Sequence, residues 1–577
     1  MHTFKVWAPK AETAEVKVEG KTYPLNQQDG GWWSASVDDA ADGTKYVFLL
    51  DGKDQELPDP RSAFQPEGVN GPSQVVDHAK FQWADNGFRA VPFQAAIIYE
   101  LHVGTFSPEG TCDGVIAKLD YLRELGVTHI ELLPFAEFPG KHGWGYDGVD
   151  LFAPHAAYGG PDGLKRLVDA AHGKGLAVMM DVVYNHFGPA GNYVGQFGPY
   201  FTDQHKTPWG DAVNLEDAGS YEVRRFFCDN ALMWLRDYHM DGLRLDAVHA
   251  YIDRSAINFM EQINTEVHAL QVETGKPYLM IAESDLNDPR LVQPKAARGY
   301  GFDAQWSDDF HHAVVALLTG DTSGYYADFG DFADLGKALT QAFVYDGQFS
   351  EFRDRVHGRP VHDLPGWHFC GYSQNHDQVG NRAKGERLQH LTDMPRAKIA
   401  AALTLLAPFL PMLWQGEEFA ASTPFLYFTD HEDKELGKLV SEGRKKEFEA
   451  FGWDPEDIPD PQDASTFEAS KLKWDEVAQP EHAEMLRFYK ELIALRKGQR
   501  ELLDGVLDHV DVDFDDEDQW FTMQRGGIVL VFTLAEEGYS AGLDESVTLL
   551  LASDPGIQVV EGHLTMPGVG VAVLQVG

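Results

Sequence analysis

Four carboxylates each close a short apolar run: GLAVMMD at Asp181, GLRLD at Asp246, YLMIAE at Glu283 and GYSQNHD at Asp377. The runs are strand-length and helix-like stretches separate them. That pattern predicts acids at the carboxyl ends of parallel strands, where barrel enzymes gather their catalytic groups. Arg244 stands two residues before Asp246, and a strand repeats every two residues, so both side chains face the same way. A neighbouring positive charge favours the ionised acid, which suits a nucleophile, whereas a general acid must keep its proton and needs a less cationic setting. Glu283 has no basic residue in its own run. Retaining glycoside hydrolysis needs this division, with one carboxylate attacking the anomeric carbon and the other protonating the leaving oxygen and then deprotonating water. Any single acid after a strand reads equally well as a helix cap or a loop residue. Capping does not explain Arg two before Asp246 or His beside Asp377.

The segments DVVYNH (181–186), GLRLDAVH (242–249), IAESD (281–285) and SQNHD (373–377) resemble, in order, the conserved regions of the α-amylase family of glycoside hydrolases. The resemblance extends from about Ile97 to Trp414. It implies Asp246 as nucleophile, Glu283 as general acid/base and Asp377 as a third acid that holds sugar hydroxyls and stabilises the transition state. It further implies Arg244 as the nucleophile's partner and His186 and His376 as hydrogen-bond donors to the sugar in the reacting subsite. Tyr146, in GWGYDGV, matches the family's aromatic platform; a core aromatic is the bland alternative, and its place in a Gly-rich loop favours function. These residue types suit an oxocarbenium-like transition state, since fixed carboxylates stabilise the growing positive charge and neutral His donors read hydroxyls without opposing it. Asn185 matches a calcium ligand of such amylases, but one oxygen cannot build a site needing roughly six to eight. The connection from about Phe187 to Ser220 is short where many amylases carry a larger calcium-binding domain, so the expectation is no metal and no cofactor.

These groups must be positioned by strands, and the chain offers a set of candidates: AAIIYELHV, THIELLP, GLAVMMD, GLRLD, YLMIAE, FDAQW, FCGYSQNHD and FLPMLWQG. Helical stretches such as PDGLKRLVDAAHGKG and YEVRRFFCDNALMWLRDYH lie between them. Strand-helix alternation predicts an α/β fold, a (β/α)8 TIM barrel over residues 91–498 with insertions. Residues 1–90 read as a β-sandwich, from FKVWAP, AEVKVEG, WWSASV and YVFLLDG between turn formers, and VWAPKAETAEVKV resembles the glucan-binding-type modules that precede barrels in branching enzymes and isoamylases. Trp32 and Trp33 could bind glucan or pack against the barrel, and packing is favoured. Pro58 to Ser73 reads as an irregular connection. After the last barrel strand, PFLYFTDHEDKELG and GRKKEFEAFGWDPEDIPDPQDASTFEASKLKW read as an acidic, irregular insertion. Residues 499–577, with WFTMQRGGIVLVFTL and SVTLLLAS, read as a C-terminal antiparallel β domain.

At 577 residues, with 43% hydrophobic and 12% aromatic content, the chain can bury several cores. A net charge of −44 repels nucleic acid and anionic lipid, so neither nucleic acid nor membrane is an expected partner, while the neutral α-glucan oligosaccharide that the resemblance implies as substrate is indifferent to it. Nothing in the pattern fixes an oligomeric state. Cys112, Cys228 and Cys370 have neither CxxC spacing nor a disulfide framework and read as buried small hydrophobes. The opening MHTFKVWAPKAETAEV lacks a signal-peptide pattern, which makes a cytoplasmic setting the expectation.

Competing readings divide by class. A metal-dependent barrel hydrolase needs clustered His and acidic ligands near the first strand, where only His102 followed by Val103 and Gly104 is found. A non-catalytic glucan-binding protein would have lost one of the acids, and all are present. Within the family, branching, debranching and hydrolytic members share the same acids. GWGYDGVDLFAPHAAYGGP, FLYFTDH and DIPDPQDASTFEASKLKW most resemble the malto-oligosyltrehalose trehalohydrolase group. That resemblance implies hydrolysis of the α-1,4 bond next to a terminal trehalose unit. His249, where many amylases carry a Lys-His pair, is a candidate trehalose contact; a loop His without a substrate role is the alternative.

Overall fold

A computed structural model gives the fold, and it describes residues 1–449, 458–543 and 547–576. Each candidate barrel run contributes one strand: β1 Ile98–Leu101, β2 His129–Leu132, β3 Ala177–Val182, β4 Gly242–Leu245, β5 Leu279–Ala282, β6 Ala304–Trp306, β7 Phe369–Gly371 and β8 Leu410–Trp414. All pair in parallel and close on themselves, β8 against β1 with Met412 opposite Ile98. The strands read as continuous apolar runs because they face the barrel interior on one side and helices on the other; all six residues of β3 are buried. Gly242 opens β4 under a tight constraint, since a Cβ there would lie 2.3 Å from the Leu279 carbonyl oxygen of β5. Gly242 pairs with Leu279 there, and on the other side of β4 Arg244 lies beside Asp181 of β3.

Helix Met394–Leu406 is buried at every position from Ala397 to Leu406, an all-round apolar surface that needs cover on both sides. The barrel covers one side and the C-terminal sheet the other. Its terminal carbonyls are met by two buried guanidinium groups: Arg496 donates to Leu405 O at 2.6 Å and Arg525 to Leu406 O at 2.7 Å, satisfying groups a helix end leaves open. The C-terminal region is antiparallel, a five-stranded sheet (Val510–Asp515, Trp520–Arg525, Ile528–Thr533, Gly570–Gln575, Thr548–Ala552) and a three-stranded one.

At the N-terminus a three-stranded and a four-stranded antiparallel sheet form the sandwich. Trp33 is buried in the module's own core and donates its indole N–H to Ala8 O at 3.1 Å. Trp32 is linked to the barrel by Arg61, which sits over its ring and that of Phe226 and pairs with Asp229 at 2.9 Å. Trp7 meets the barrel domain directly, edge-on to Tyr200 at 5.5 Å.

The segment after β8 departs from expectation. Lys434–Glu449 is an α-helix, rich in good helix formers and carrying a Lys438–Glu442 pair at i,i+4. Lys and Arg outnumber Glu within it, so the acidic composition of the wider insertion does not describe this segment, in which Leu436, Leu439 and Val440 have an apolar helical spacing. A second helix spans Ala464–Ala469, and residues 450–457 of the expected irregular stretch lie outside the described residues. Among the described residues no helix is long and apolar enough to cross a membrane. All three cysteines are buried and free.

Candidate active site

The barrel brings three of the four acids, Asp181, Asp246 and Glu283, to one centre, Arg244. Its guanidinium is fully buried, donating from Nη1 to Asp181 Oδ2 at 2.7 Å and Asp246 Oδ1 at 2.9 Å, while Nη2 lies 2.9 Å from Glu283 Oε2. Beneath it lies the Trp306 ring, 4.1 Å from the guanidinium carbon, so a cation–π contact replaces water on its face. The spacing of Arg244 and Asp246 does what strand periodicity requires, since Asp246 follows β4 directly.

Two carboxyl groups on this one cation are driven apart in protonation. Burial opposes the charged form of Asp246, but Arg244, His186 and a hydrogen bond from Asn185 together hold its pKa below the ordinary carboxylate value. Asn185 Nδ2 donates to Asp246 Oδ2 at 2.6 Å and to its backbone oxygen at 2.9 Å. Glu283 goes the other way: burial pushes it well above the ordinary value, the Arg244 charge offsets this only in part, and the nearby Asp246 and Asp377 carboxylates add to the rise. Its one short contact to backbone comes from Ala247 N at 2.6 Å. Ala247 holds a left-handed φ of 40°, a backbone conformation that costs energy for a residue with a Cβ and clusters at functional sites. Burial raises Asp181 to about 6.

A second chain of contacts leads from the other wall. Glu100, in β1, accepts from His376 Nδ1 at 2.5 Å and from its backbone N–H at 2.9 Å. His376 Nε2 meets the Tyr146 hydroxyl at 2.7 Å, and that hydroxyl donates to Asp181 at 2.6 Å. Burial works against a charged His376, yet the Glu100 carboxylate prevails and raises its pKa above the ordinary value. The two histidines therefore differ: burial lowers His186, giving the neutral ring expected, whereas His376 is drawn toward the imidazolium. Tyr146 stacks on His376, with centroids 5.3 Å apart.

All of the sequence-derived site residues except buried Arg244 line one cavity of about 420 Å3: Tyr146, His186, Asp246, His249, Glu283, His376 and Asp377. Asp377 sits in the short helix His376–Gly380, begun by Asn375, whose side chain accepts from Gln378 N. Strand β7 ends at Gly371, well before the expected run does, because the polar SQNHD segment turns into this cap. His249 is exposed on the cavity wall beside Ala247.

Residues that sequence reasoning missed complete the walls. Trp209 caps the hairpin of strands Phe201–Thr207 and Gly210–Val213 and stacks on His186 at 4.6 Å and 6°; its hairpin fills the short connection that follows β3. Trp144, Asn381 and Tyr427 also line the cavity. Glu100 had a signal, a carboxylate inside the apolar run IIYEL. Asn185, matched to a calcium ligand, instead spends its amide on Asp246. Among the described residues no group of three or more His, Cys, Asp or Glu is placed to hold a metal ion.

With this geometry in view, comparisons with known proteins become informative. Residues 70–206 match the alpha amylase catalytic domain family and residues 1–63 match carbohydrate-binding module 48, the isoamylase N-terminal domain. The chain is 47% identical to malto-oligosyltrehalose trehalohydrolase from Rhizobium sp. (strain M-11), over 99% of this chain and 97% of that one. It is also 47% identical to the protein of that name from Arthrobacter ramosus, over 99% of both. A crystal structure of a candidate alpha amylase from Salmonella typhimurium superposes with a TM-score of 0.91 at 37% identity, covering 99% of this chain and 97% of that one.

Proposed function

The chain belongs to the malto-oligosyltrehalose trehalohydrolase family, and from that premise we propose how its cavity releases trehalose from malto-oligosyltrehalose. Asp246, ionised beside Arg244, attacks the anomeric carbon of the glucose that is α-1,4-linked to the terminal trehalose unit. Glu283, protonated, gives its proton to the leaving oxygen, so trehalose departs as the Asp246–carbon bond forms. Glu283 then takes a proton from water as that water attacks the same carbon, and Asp246 is freed with the anomeric configuration retained. Asp377 holds sugar hydroxyls, Tyr146 carries the apolar face of the reacting glucose, and His186 and His376 address its hydroxyls. His249 contacts the trehalose side.

The observation that carries this reading is the convergence of Asp246 and Glu283 on one guanidinium, with the Asp246 pKa held below and the Glu283 pKa pushed above the ordinary carboxylate value, because acid-assisted cleavage of a glycosidic bond needs one ionised and one protonated carboxyl at the same time. The match to trehalohydrolases over nearly the full chain leaves little ground for the branching and debranching alternatives. We divide the chain at 1–90, 91–498 and 499–577 and place it in the cytoplasm, a setting that suits three buried free thiols. The test is proton NMR of freshly cleaved maltopentaosyl-trehalose. The new reducing end should appear first as the α-anomer with an equivalent of trehalose; the β-anomer first would overturn the double displacement, and no trehalose would overturn the substrate.

A further inference from the structure

Helix Lys434–Glu449 lies outside the barrel repeat, yet one of its side chains returns to the cavity mouth. Arg444 donates from Nη2 to Gly380 O at 2.7 Å and from Nη1 to Asn381 Oδ1 at 3.0 Å. Asn381 in turn donates from Nδ2 to Asp377 Oδ1 at 2.8 Å. The same guanidinium lies over the Tyr427 ring, 4.9 Å from its centroid. One cation thus touches the end of the short helix bearing Asp377, the amide that holds Asp377, and an aromatic wall of the cavity.

We infer that Arg444 is a positioning residue for this reaction, fixing Asp377 through Asn381 and the cavity wall through Tyr427. The inference rests on the assignment of Asp377 to the sugar-holding machinery.

An asparagine amide has an acceptor end and a donor end of nearly equal shape, and its partners decide which points where. A guanidinium only donates, so it claims Oδ1 and turns Nδ2 toward the carboxylate. Without it the amide is free to turn, and Oδ1 facing Asp377 would repel. Donation to Oδ1 also polarises the amide and strengthens its bond to Asp377. Asp377 depends on such a tether more than its partners do: its side chain is 40% exposed, against 11% for Asp246 and 17% for Glu283. His376 Nε2 is 4.0 Å from it, beyond a hydrogen bond. The helix it sits on has little freedom, because a Cβ at Gly380 would lie 2.1 Å from the Trp144 ring. A lysine could not replace Arg444, since an ammonium lacks the planar fork that serves Gly380 O, Asn381 and Tyr427 together.

The test uses the full chain with maltopentaosyl-trehalose, and compares Arg444→Ala, Arg444→Lys, Asn381→Ala and the Arg444→Ala/Asn381→Ala pair. Lys438→Ala on the same helix is the control and should keep wild-type kinetics. Both Arg444 variants should lose about ten- to a hundredfold in kcat/KM, mostly in kcat, as a misplaced transition-state contact does. The pair should lose clearly less than the product of the two single losses, because both act on Asp377 through one amide and only the Tyr427 contact is separate, and methylguanidinium should restore part of the Arg444→Ala rate. Rescue is a readout that simple loss of helix packing would not give, and Arg444→Lys keeps the test open if the alanine variant folds poorly. Arg444 variants within twofold of wild type, or losses that multiply in the pair, would overturn the inference. Asp377→Asn in parallel separates the failures. An active Asp377→Asn removes the underlying site reading, whereas an inactive one beside unaffected Arg444 variants removes only the role of Arg444.

Discussion

At the floor of the cavity Arg244 is sealed from solvent and ion-paired with Asp181, Asp246 and Glu283, all on or directly after strands. At the rim, Asp377, Trp209, His249 and Tyr427 stand on loops, hairpin tips and short helices, and Trp209 is 48% exposed. The floor sets protonation states, because in a buried site each charge acts strongly on its neighbours. The rim offers rings and tethered polar groups whose arrangement can change without disturbing the floor. The proposed mechanism thus draws its chemistry from strand ends and its selectivity from connections, a division that barrel enzymes permit because loops vary over a constant frame.

If the division holds, the largest losses belong to the floor. Asp246→Asn removes the proposed nucleophile and should lower kcat by about 10^4-fold or more, with folding preserved by circular dichroism. Glu283→Gln keeps the shape but cannot shuttle the proton, and should cost about 10^2- to 10^4-fold; near-normal turnover in either variant would reverse the roles. Arg244→Lys should follow, losing most activity and about 3–5 kcal/mol of stability in denaturant titration, since it strips partners from buried carboxylates.

The pH profile sharpens the same comparison. The productive form has Asp246 ionised and Glu283 protonated. Activity should fall on the acid side as Asp246, held below the ordinary carboxylate value, takes up a proton, and on the basic side as Glu283, held well above it, loses one. Asn185→Ala removes a hydrogen bond that favours the charged form of Asp246, so the acid limb should move up while the basic limb stays. Movement of the basic limb instead would mean that the two acids have been assigned the wrong way round.

Rim substitutions should be milder. Trp209→Ala should raise KM by about three- to tenfold, the worth of one stacked aromatic contact, with kcat little changed. His249→Ala is the smallest expected effect, a change of less than about fivefold confined to trehalose-ended substrates; unchanged turnover would remove it from the substrate contacts.

The same contrast explains what could be read from the chain in advance. Floor residues carry local signatures: Arg244 two before Asp246 and acids ending apolar runs are visible because strand geometry has a period of two and the barrel repeats its order. Rim residues lack such a signature. Trp209 becomes a wall residue only because its hairpin folds over His186, and Arg444 reaches Asn381 across a sequence gap that no periodicity spans. Tyr146 was legible through its Gly-rich loop, whereas its hydroxyl's place between His376 and Asp181 required the closed barrel. The role of Asn185 was not legible, because an asparagine after a strand can ligate a metal or orient a carboxylate, and only the position of Asp246 decides between them. The helix at Lys434–Glu449 is hidden by the acidic sequence around it, although the segment itself carries slightly more Lys and Arg than Glu, since a charged run describes a solvated helix face as well as an irregular loop.

The most direct test of the central claim is product analysis after parallel incubation with maltopentaosyl-trehalose and with maltohexaose under identical conditions. Rapid release of free trehalose from the first, with slow cleavage of the second, is the predicted result. Equal cleavage of both into mixed maltodextrins, or the appearance of branched products, would contradict it, leaving the floor's chemistry intact and the rim's selectivity wrongly assigned.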